Sequence, residues 1–309
     1  MFLSLFTRYL RSQIGRVALL LSLGSFALAT TSQATVLAYD TFDSYTSGST
    51  LGGLNGGYGW DGAWASSVST DVTSSESISY NYNGIVRGGG NSLVVSSQAN
   101  EAIARSLAGN SSTYTGADYY VSFIFQVNYG TGTGQISNSS YAEDSSFFSV
   151  GAGETATQAP SLALGGVIGP KPVARINGAG ASGSEVADYN TTYFMVIENV
   201  WSETYSAYTQ TNVYLYDQTG EVAGLVVSTT NTDSTQNSME KLAMRVFYIG
   251  GGTNGGVPYT NDVTLTFDDF LFADSFESAT GAIPEPATYA ALAGLAILGI
   301  AVLRRRYRS

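Results

Sequence analysis

Alternation is the strongest pattern in the chain. Over residues 119–128, Val121, Phe123, Phe125 and Val127 fall on one side of an extended segment, the period-2 signature of a half-buried strand. Residues 192–200 read the same way, with Tyr193, Met195 and Ile197 in one phase and Phe194, Val196 and Glu198 in the other. The pattern predicts further strands at 36–42, 92–97, 146–150, 162–167, 212–217, 242–249 and 263–272. Gly, Ser, Thr and Asn fill the connections, and little of the region 35–281 has helical periodicity. Many short strands with turn-rich links predict an all-β fold, an antiparallel two-sheet sandwich in which each sheet buries one face. In the last strand Val263, Leu265 and Phe267 share one phase, while Phe270 and Phe272 share the other. The slip at Asp268-Asp269 predicts a β-bulge that sets at least one carboxylate at a sheet edge.

The two ends follow other patterns. Arg8, Arg11 and Arg16 precede an apolar run at 17–29, and Ser32-Gln33-Ala34 follows. A positive region, a short apolar region and a small-x-small site make a secretory signal peptide, with signal peptidase expected to cut after Ala34. Thirteen apolar residues are few for the alternative, an uncleaved anchor helix. At the other end an apolar stretch at about 287–303 predicts a single transmembrane helix. At 1.5 Å per residue it spans about 25 Å, just short of the hydrocarbon thickness. Arg304, Arg305, Arg306 and Arg308 close the chain and should stay in the cytoplasm, holding the preceding domain outside. The expected organisation is a signal peptide at 1–34, a sandwich at 35–281 and a C-terminal segment at 283–308.

Composition narrows the chemistry. The 309 residues include no Cys and no His. That removes a disulfide framework, a thiolate nucleophile, a Ser-His-Asp triad and a His/Cys zinc site. The net charge is −11, but between residues 35 and 283 six basic side chains face 23 acidic ones, a net of −17. Such a body repels polyanions, so nucleic acid is not an expected partner. No Gly-Lys-Ser/Thr follows any glycine cluster, so there is no P-loop.

The C-terminal order of Pro284-Glu285-Pro286, a short apolar helix and the cluster Arg304-Arg305-Arg306 resembles the PEP-CTERM sorting signal of Gram-negative bacteria that make exopolysaccharide. The resemblance implies an exosortase, a membrane transpeptidase that cuts near the triplet and passes the domain to the cell surface or extracellular matrix. A plain single-span anchor is the simpler alternative. The block 39–64, with Tyr39-Asp40-Thr41-Phe42-Asp43 and a glycine-rich stretch through Tyr58, Trp60 and Trp64, resembles the opening of concanavalin A-like, laminin-G-like jelly rolls. Phe267-Asp268-Asp269-Phe270 is similar to that family's last strand. This implies a jelly roll, a fold shared by lectins, glycosidases and structural modules, so it does not settle function.

Each candidate site has two readings. Tyr58, Trp60 and Trp64 could form an aromatic platform for sugar rings, or the two Trp could plug one end of the core, as large aromatics ordinarily do. Asp268 and Asp269 could hold calcium through carboxylate oxygens, or form a solvated acidic bulge that blunts an edge. Laminarinase-like members of the fold carry Glu-x-Asp-x-Glu; here Glu198 and Glu203 are five residues apart with Val200 in the central position. Odd spacing puts the two on opposite faces of a regular strand, against a retaining glycosidase. A Tyr-based lyase would need cations, and Arg87, Arg105, Lys171, Arg175, Lys241 and Arg245 share no motif. The expectation is therefore no catalytic residues and no cofactor, calcium apart. The protein is expected to be a structural or adhesive surface protein associated with exopolysaccharide, or alternatively a lectin-like module binding an envelope glycan.

Overall fold

The computed structural model describes residues 35–66, 72–75, 77–96, 101–109, 114–129, 146–152, 163–168, 171–184, 187–239, 241–246, 252–254, 257–259 and 263–281. Each of the nine segments with strand periodicity falls mainly on a strand, with residues 97, 162 and 247–249 outside the described residues: β1 (Val36–Asp40), β6 (Ser92–Val95), β8 (Tyr119–Tyr129), β9 (Ser146–Ala152), β10 (Ala163–Ile168), β13 (Thr192–Ser202), β14 (Ala207–Tyr216), β16 (Lys241–Val246) and β19 (Val263–Ala273). Shorter strands join them: β2 (Trp60–Ala65), β3 (Val72–Ser74), β4 (Ser79–Tyr82), β5 (Ile85–Gly88), β7 (Glu101–Leu107), β11 (Lys171–Ile176), β12 (Ala179–Ser182) and β15 (Ala223–Thr230). A small hairpin pairs β17 (Gly252–Asn254) with β18 (Val257–Tyr259).

Two antiparallel sheets make the sandwich. The first runs β15-β14-β13-β8-β19-β6-β3, with β1 also on β19; the second runs β12-β11-β10-β9-β16-β7-β2. Alternation decides which side chains meet between them. Val121, Phe123, Phe125 and Val127 of β8 and Tyr193, Met195 and Ile197 of β13 enter the main core beside Phe148, Val150, Met244 and Val246 of the second sheet. Phe125 and Phe148 meet edge to face with centroids 4.8 Å apart, and Phe148 meets Phe267 at 5.0 Å. Such pairs add about 0.5–1.5 kcal/mol each beyond the burial of their area.

The opposite phase of the first sheet builds a second, smaller core. Ile124, Phe194, Val196 and Leu271 pack with Ile78 and Tyr80 of the β4–β5 segment and Ala279 of helix α1 (Phe276–Thr280). Ser275 caps this one-turn helix, its hydroxyl accepting from the Ser278 amide at 3.2 Å. Both faces of this sheet are thus buried in its centre, which explains why its strands read as nearly continuous apolar runs. Among the described residues no helix is long and apolar enough to cross a membrane. The signal peptide, with Ala34, and the transmembrane helix expected at 287–303 lie outside the described residues.

Candidate functional site

The block that carries Tyr58, Trp60 and Trp64 is built around one buried ion pair. Arg105 Nη1 donates to Asp40 Oδ2 at 2.7 Å, and both side chains are 1–2% exposed. The same carboxylate oxygen accepts from the Tyr45 hydroxyl at 2.6 Å and from Trp64 Nε1 at 2.8 Å, while Oδ1 accepts from the Phe42 amide. Arg105 also donates from Nε to the Gly62 carbonyl and from Nη2 to Asn55 Oδ1 at 2.7 Å. Its guanidinium lies 5.2 Å from the Trp60 ring and 5.5 Å from that of Trp64. Burial and the neighbouring Asp40 push the Tyr45 hydroxyl up to about 12, so it remains a proton donor.

This hub pins the glycine-rich segment 52–62. The Gly56 amide donates to Tyr45 Oη, and Tyr58 exchanges backbone hydrogen bonds of 2.9 Å with Tyr39 of β1. Gly59 shows why glycine is needed: its φ is +79°, and a Cβ there would run into the Leu37 carbonyl oxygen. Trp64 is 3% exposed and sits in the core against Phe42 and Phe270. Trp60 is half-buried, its Nε1 donating to the Tyr39 carbonyl. Tyr58 is 62% exposed and stacks on Tyr39 at 5.9 Å, so it is the ring of the three that faces solvent.

The bulge forms where the phase slip lies. Four residues of β19, Asp268 to Leu271, stand opposite three of β8, Ile124 to Ser122, and Asp269 takes a φ of +54°. Its place differs from the expectation. β19 is interior, flanked by β8 on one side and by β6 and then β1 on the other, so the carboxylates are not at a sheet edge. Asp268 is 1% exposed; Oδ1 accepts from the Asp269 amide at 2.7 Å and Oδ2 has no hydrogen-bond partner. Burial, with Asp269 second, pushes its carboxyl up to about 9, and at neutral pH it holds its proton. Asp269 Oδ2 accepts from the Gly88 amide at 2.7 Å; burial raises this carboxyl too, against the pull of that amide and Arg87. Among the described residues no three Asp, Glu, His or Cys side chains stand close enough together to hold a metal. The bulge thus offers calcium two carboxylates, both drawn into contacts with the protein, and no third such group beside them.

Glu198 is also committed. Its oxygens accept from Tyr120 Oη at 2.9 Å, Tyr214 Oη at 2.8 Å and Asn212 Nδ2 at 2.8 Å. Glu203 lies beyond the end of β13 in an exposed turn, so the two do not share a strand.

Residues 282–306 match the family model described as the PEP-CTERM protein-sorting motif. The chain carries that sorting motif. Pro284, Glu285, Pro286, Arg304, Arg305 and Arg306 all fall within the match, outside the described residues. No curated protein matches the chain. Similar solved structures include endo-beta-1,4-glucuronan lyase from the fungus Trichoderma reesei, at 11% identity and TM-score 0.44, over 79% of this chain and 98% of that one. The VIP36 exoplasmic/lumenal domain in its Ca2+/Man-bound form matches at 8% and 0.38, over 69% and 83%. Winged bean acidic lectin complexed with methyl-alpha-D-galactose matches at 11% and 0.37, over 66% and 98%. With TM-scores below 0.5, these likenesses carry no inference about what this chain binds or does.

Sequence reasoning missed the roles of Asp40 and Arg105. A signal for Arg105 was present: it stands in phase with Ile103 and Leu107, while Ala102, Ala104 and Ser106 occupy the other phase. An arginine in the apolar phase of a strand needs a buried partner.

Proposed function

We propose that the chain is exported by signal peptidase processing after Ala34 and then cut by an exosortase near Pro284-Glu285-Pro286. Its sandwich is left at the cell surface or in the extracellular matrix as a structural or adhesive module. The observation that carries this reading is the sorting motif at 282–306. In this reading the Arg cluster holds the tail on the cytoplasmic side while the domain is presented outside. The partner there is exopolysaccharide or another envelope glycan. The test is to express the full chain in an exosortase-bearing host, with Pro284, Glu285 and Pro286 each changed to Ala, and to read the C-terminus by mass spectrometry. The parent should lose its tail and the variant keep it; identical C-termini would remove exosortase from the account.

A second reading is a lectin-like module. It is favoured by Tyr58, an exposed ring on a rigid base of Tyr39 and beside Trp60. Aromatic faces of this kind stack on sugars with little loss of side-chain entropy. In that case Tyr58→Ala abolishes binding to the host's own polysaccharide without altering thermal unfolding, and equal binding by the variant would dismiss the platform.

A further inference from the structure

The unit that carries the sandwich begins at Thr35, one place before β1. The backbone of Thr35 is tied to the far end of the domain sequence. Its amide donates to Asp274 Oδ1 at 2.7 Å, and the Asp274 amide donates back to the Thr35 carbonyl at 3.2 Å. Asp274 directly follows β19 and precedes Ser275, the cap of α1. From α1 the chain runs through Gly281 to the sorting motif, which begins at 282. The root of that tail is itself held down, since Arg87 donates to the carbonyls of Ala279 and Gly281 and the Ser122 hydroxyl donates to that of Ala279. The first residue after the expected signal peptide therefore meets the first residue of the segment that carries the tail.

The start of β1 depends on this contact. The register of β1 against β19 slips at Leu37, so that Val36 faces Ala273 and Ala38 faces Phe272. On the near side of the slip, Val36 and the Thr35–Asp274 exchange hold the strand down, and β1 in turn delivers Asp40 to the buried Arg105. Charge at the contact is one-sided. β1, β19 and α1 carry no Lys or Arg, and Glu277, exposed on α1, adds a second negative charge on the same segment as Asp274. Burial, then Tyr114 and then Asp274 raise the Tyr119 hydroxyl of β8, so that group stays neutral. Thr35 and Asp274 are both exposed.

We propose that removal of the signal peptide turns this contact into a charged latch between the mature N-terminus and the root of the sorting tail. The inference rests on cleavage after Ala34. Hydrolysis breaks the bond between the Ala34 carbonyl carbon and the Thr35 nitrogen and consumes one water. The carbon takes the hydroxyl and leaves as a carboxylate; the nitrogen keeps the electron pair and takes the water's other hydrogen and the acid proton, becoming an ammonium. The atom that donated one neutral hydrogen bond then carries three N–H groups and a positive charge, 2.7 Å from the Asp274 oxygen. An α-amine is mostly protonated at neutral pH, and a charge-assisted bond is stronger than a neutral one. Position is critical, because one residue of extended chain is ~3.3 Å. A cut one bond earlier moves the charge that far from Asp274, and a cut one bond later removes the donor. Sheet geometry and the small-x-small site thus favour the same bond. Once formed, the latch keeps the start of β1 from fraying and fixes the point from which the tail leaves the domain.

The test expresses the full chain, signal peptide included, in a bacterial host without exosortase and purifies the product in detergent. Mass spectrometry first reads the N-terminus, which should be Thr35. The rate at which an N-hydroxysuccinimide ester acylates that α-amine at neutral pH is then measured in low salt. A paired ammonium gives up its proton less readily, so Asp274→Asn, which keeps an acceptor but not the charge, should be acylated about two- to fivefold faster than the parent. Asp274→Ser serves if that variant fails to fold. Acylation of Lys171 should be the same in both proteins, and Glu277→Gln should leave the Thr35 rate as it was. The difference should shrink at about 1 M salt, where the Debye length is ~3 Å. An N-terminus other than Thr35 would overturn the cleavage reading and the latch with it. Thr35 at the N-terminus with equal rates in parent and Asp274 variants, or with a difference unmoved by salt, would leave the cleavage reading standing and overturn the latch alone.

Discussion

Arg105 and Arg87 are both buried guanidiniums, and the domain completes the surroundings of one and not of the other. Arg105 meets a carboxylate at 2.7 Å, a side-chain amide and a carbonyl, and lies over two indole rings. Arg87 donates from Nη2 to two neutral carbonyls, those of Ala279 at 2.9 Å and Gly281 at 2.7 Å, and its Nε is unpartnered. Burial lowers its pKa, and Asp269 offsets part of that. The first centre is a closed knot that fixes the glycine-rich segment to β1. The second is an open one, fastening β5 and the end of α1 over the outer face of the first sheet with one carboxyl left neutral. Closure makes the first expensive to break; openness makes the second sensitive to proton concentration.

The sharpest way to break the comparison is Asp40→Ala. It leaves a buried arginine without its counter-ion and strips acceptors from Tyr45 and Trp64, so the loss should be about 3–5 kcal/mol in denaturant unfolding. Asp40→Ala combined with Arg105→Met should recover part of that loss, because no uncompensated charge remains. A double variant no more stable than the single would mean that Asp40 matters through Tyr45 and Trp64 rather than through charge. Next is Gly59→Ala, which meets both an unfavourable φ and the Leu37 carbonyl. About 1–3 kcal/mol should be lost, and an unchanged midpoint would show that the segment is not pinned as described. At the open centre, Arg87→Met removes two hydrogen bonds to carbonyls but also a costly buried charge. Its loss should be no more than about 1–2 kcal/mol, smaller than for Asp40→Ala.

Strand alternation made the core legible because both phases of β8 and β13 are apolar for a visible reason, one core on each side. The slip at Asp268-Asp269 was legible for the same reason: a bulge must reverse phase. What periodicity does not carry is the neighbour. Whether β19 is an edge or a central strand depends on β1 and β6 pairing with it from more than 160 residues away. The Asp40–Arg105 contact likewise joins residues 65 apart with no local motif. Lys171, Arg175 and Lys241 look scattered along the chain, and only the sheet order brings their strands β11 and β16 into one layer. The short strand β12, made of Ala, Gly, Ala and Ser, carries too few large apolar positions to announce itself.

The finest test concerns Asp268 alone. Asn has the shape of a protonated Asp, keeps an oxygen for the Asp269 amide, and cannot ionise. At pH 3, where the folded and the unfolded carboxyl both hold the proton, Asp268→Asn should change stability by less than about 1 kcal/mol. The ordinary value of this carboxyl is 3.8 and the folded one about 9. Between those limits the unfolded chain has released a proton that the folded chain keeps, so raising pH favours unfolding. The parent should therefore lose stability relative to the variant steadily from pH 5 to pH 9. Below about pH 4 both states of Asp268 are protonated and the two proteins should respond alike. Asp269 is raised in the same direction and is present in both proteins, so the difference between them isolates Asp268. A difference that stays constant from pH 5 to pH 9 would mean that the bulge keeps Asp268 ionised, and the contrast with the closed Asp40–Arg105 centre would be one of geometry without a proton.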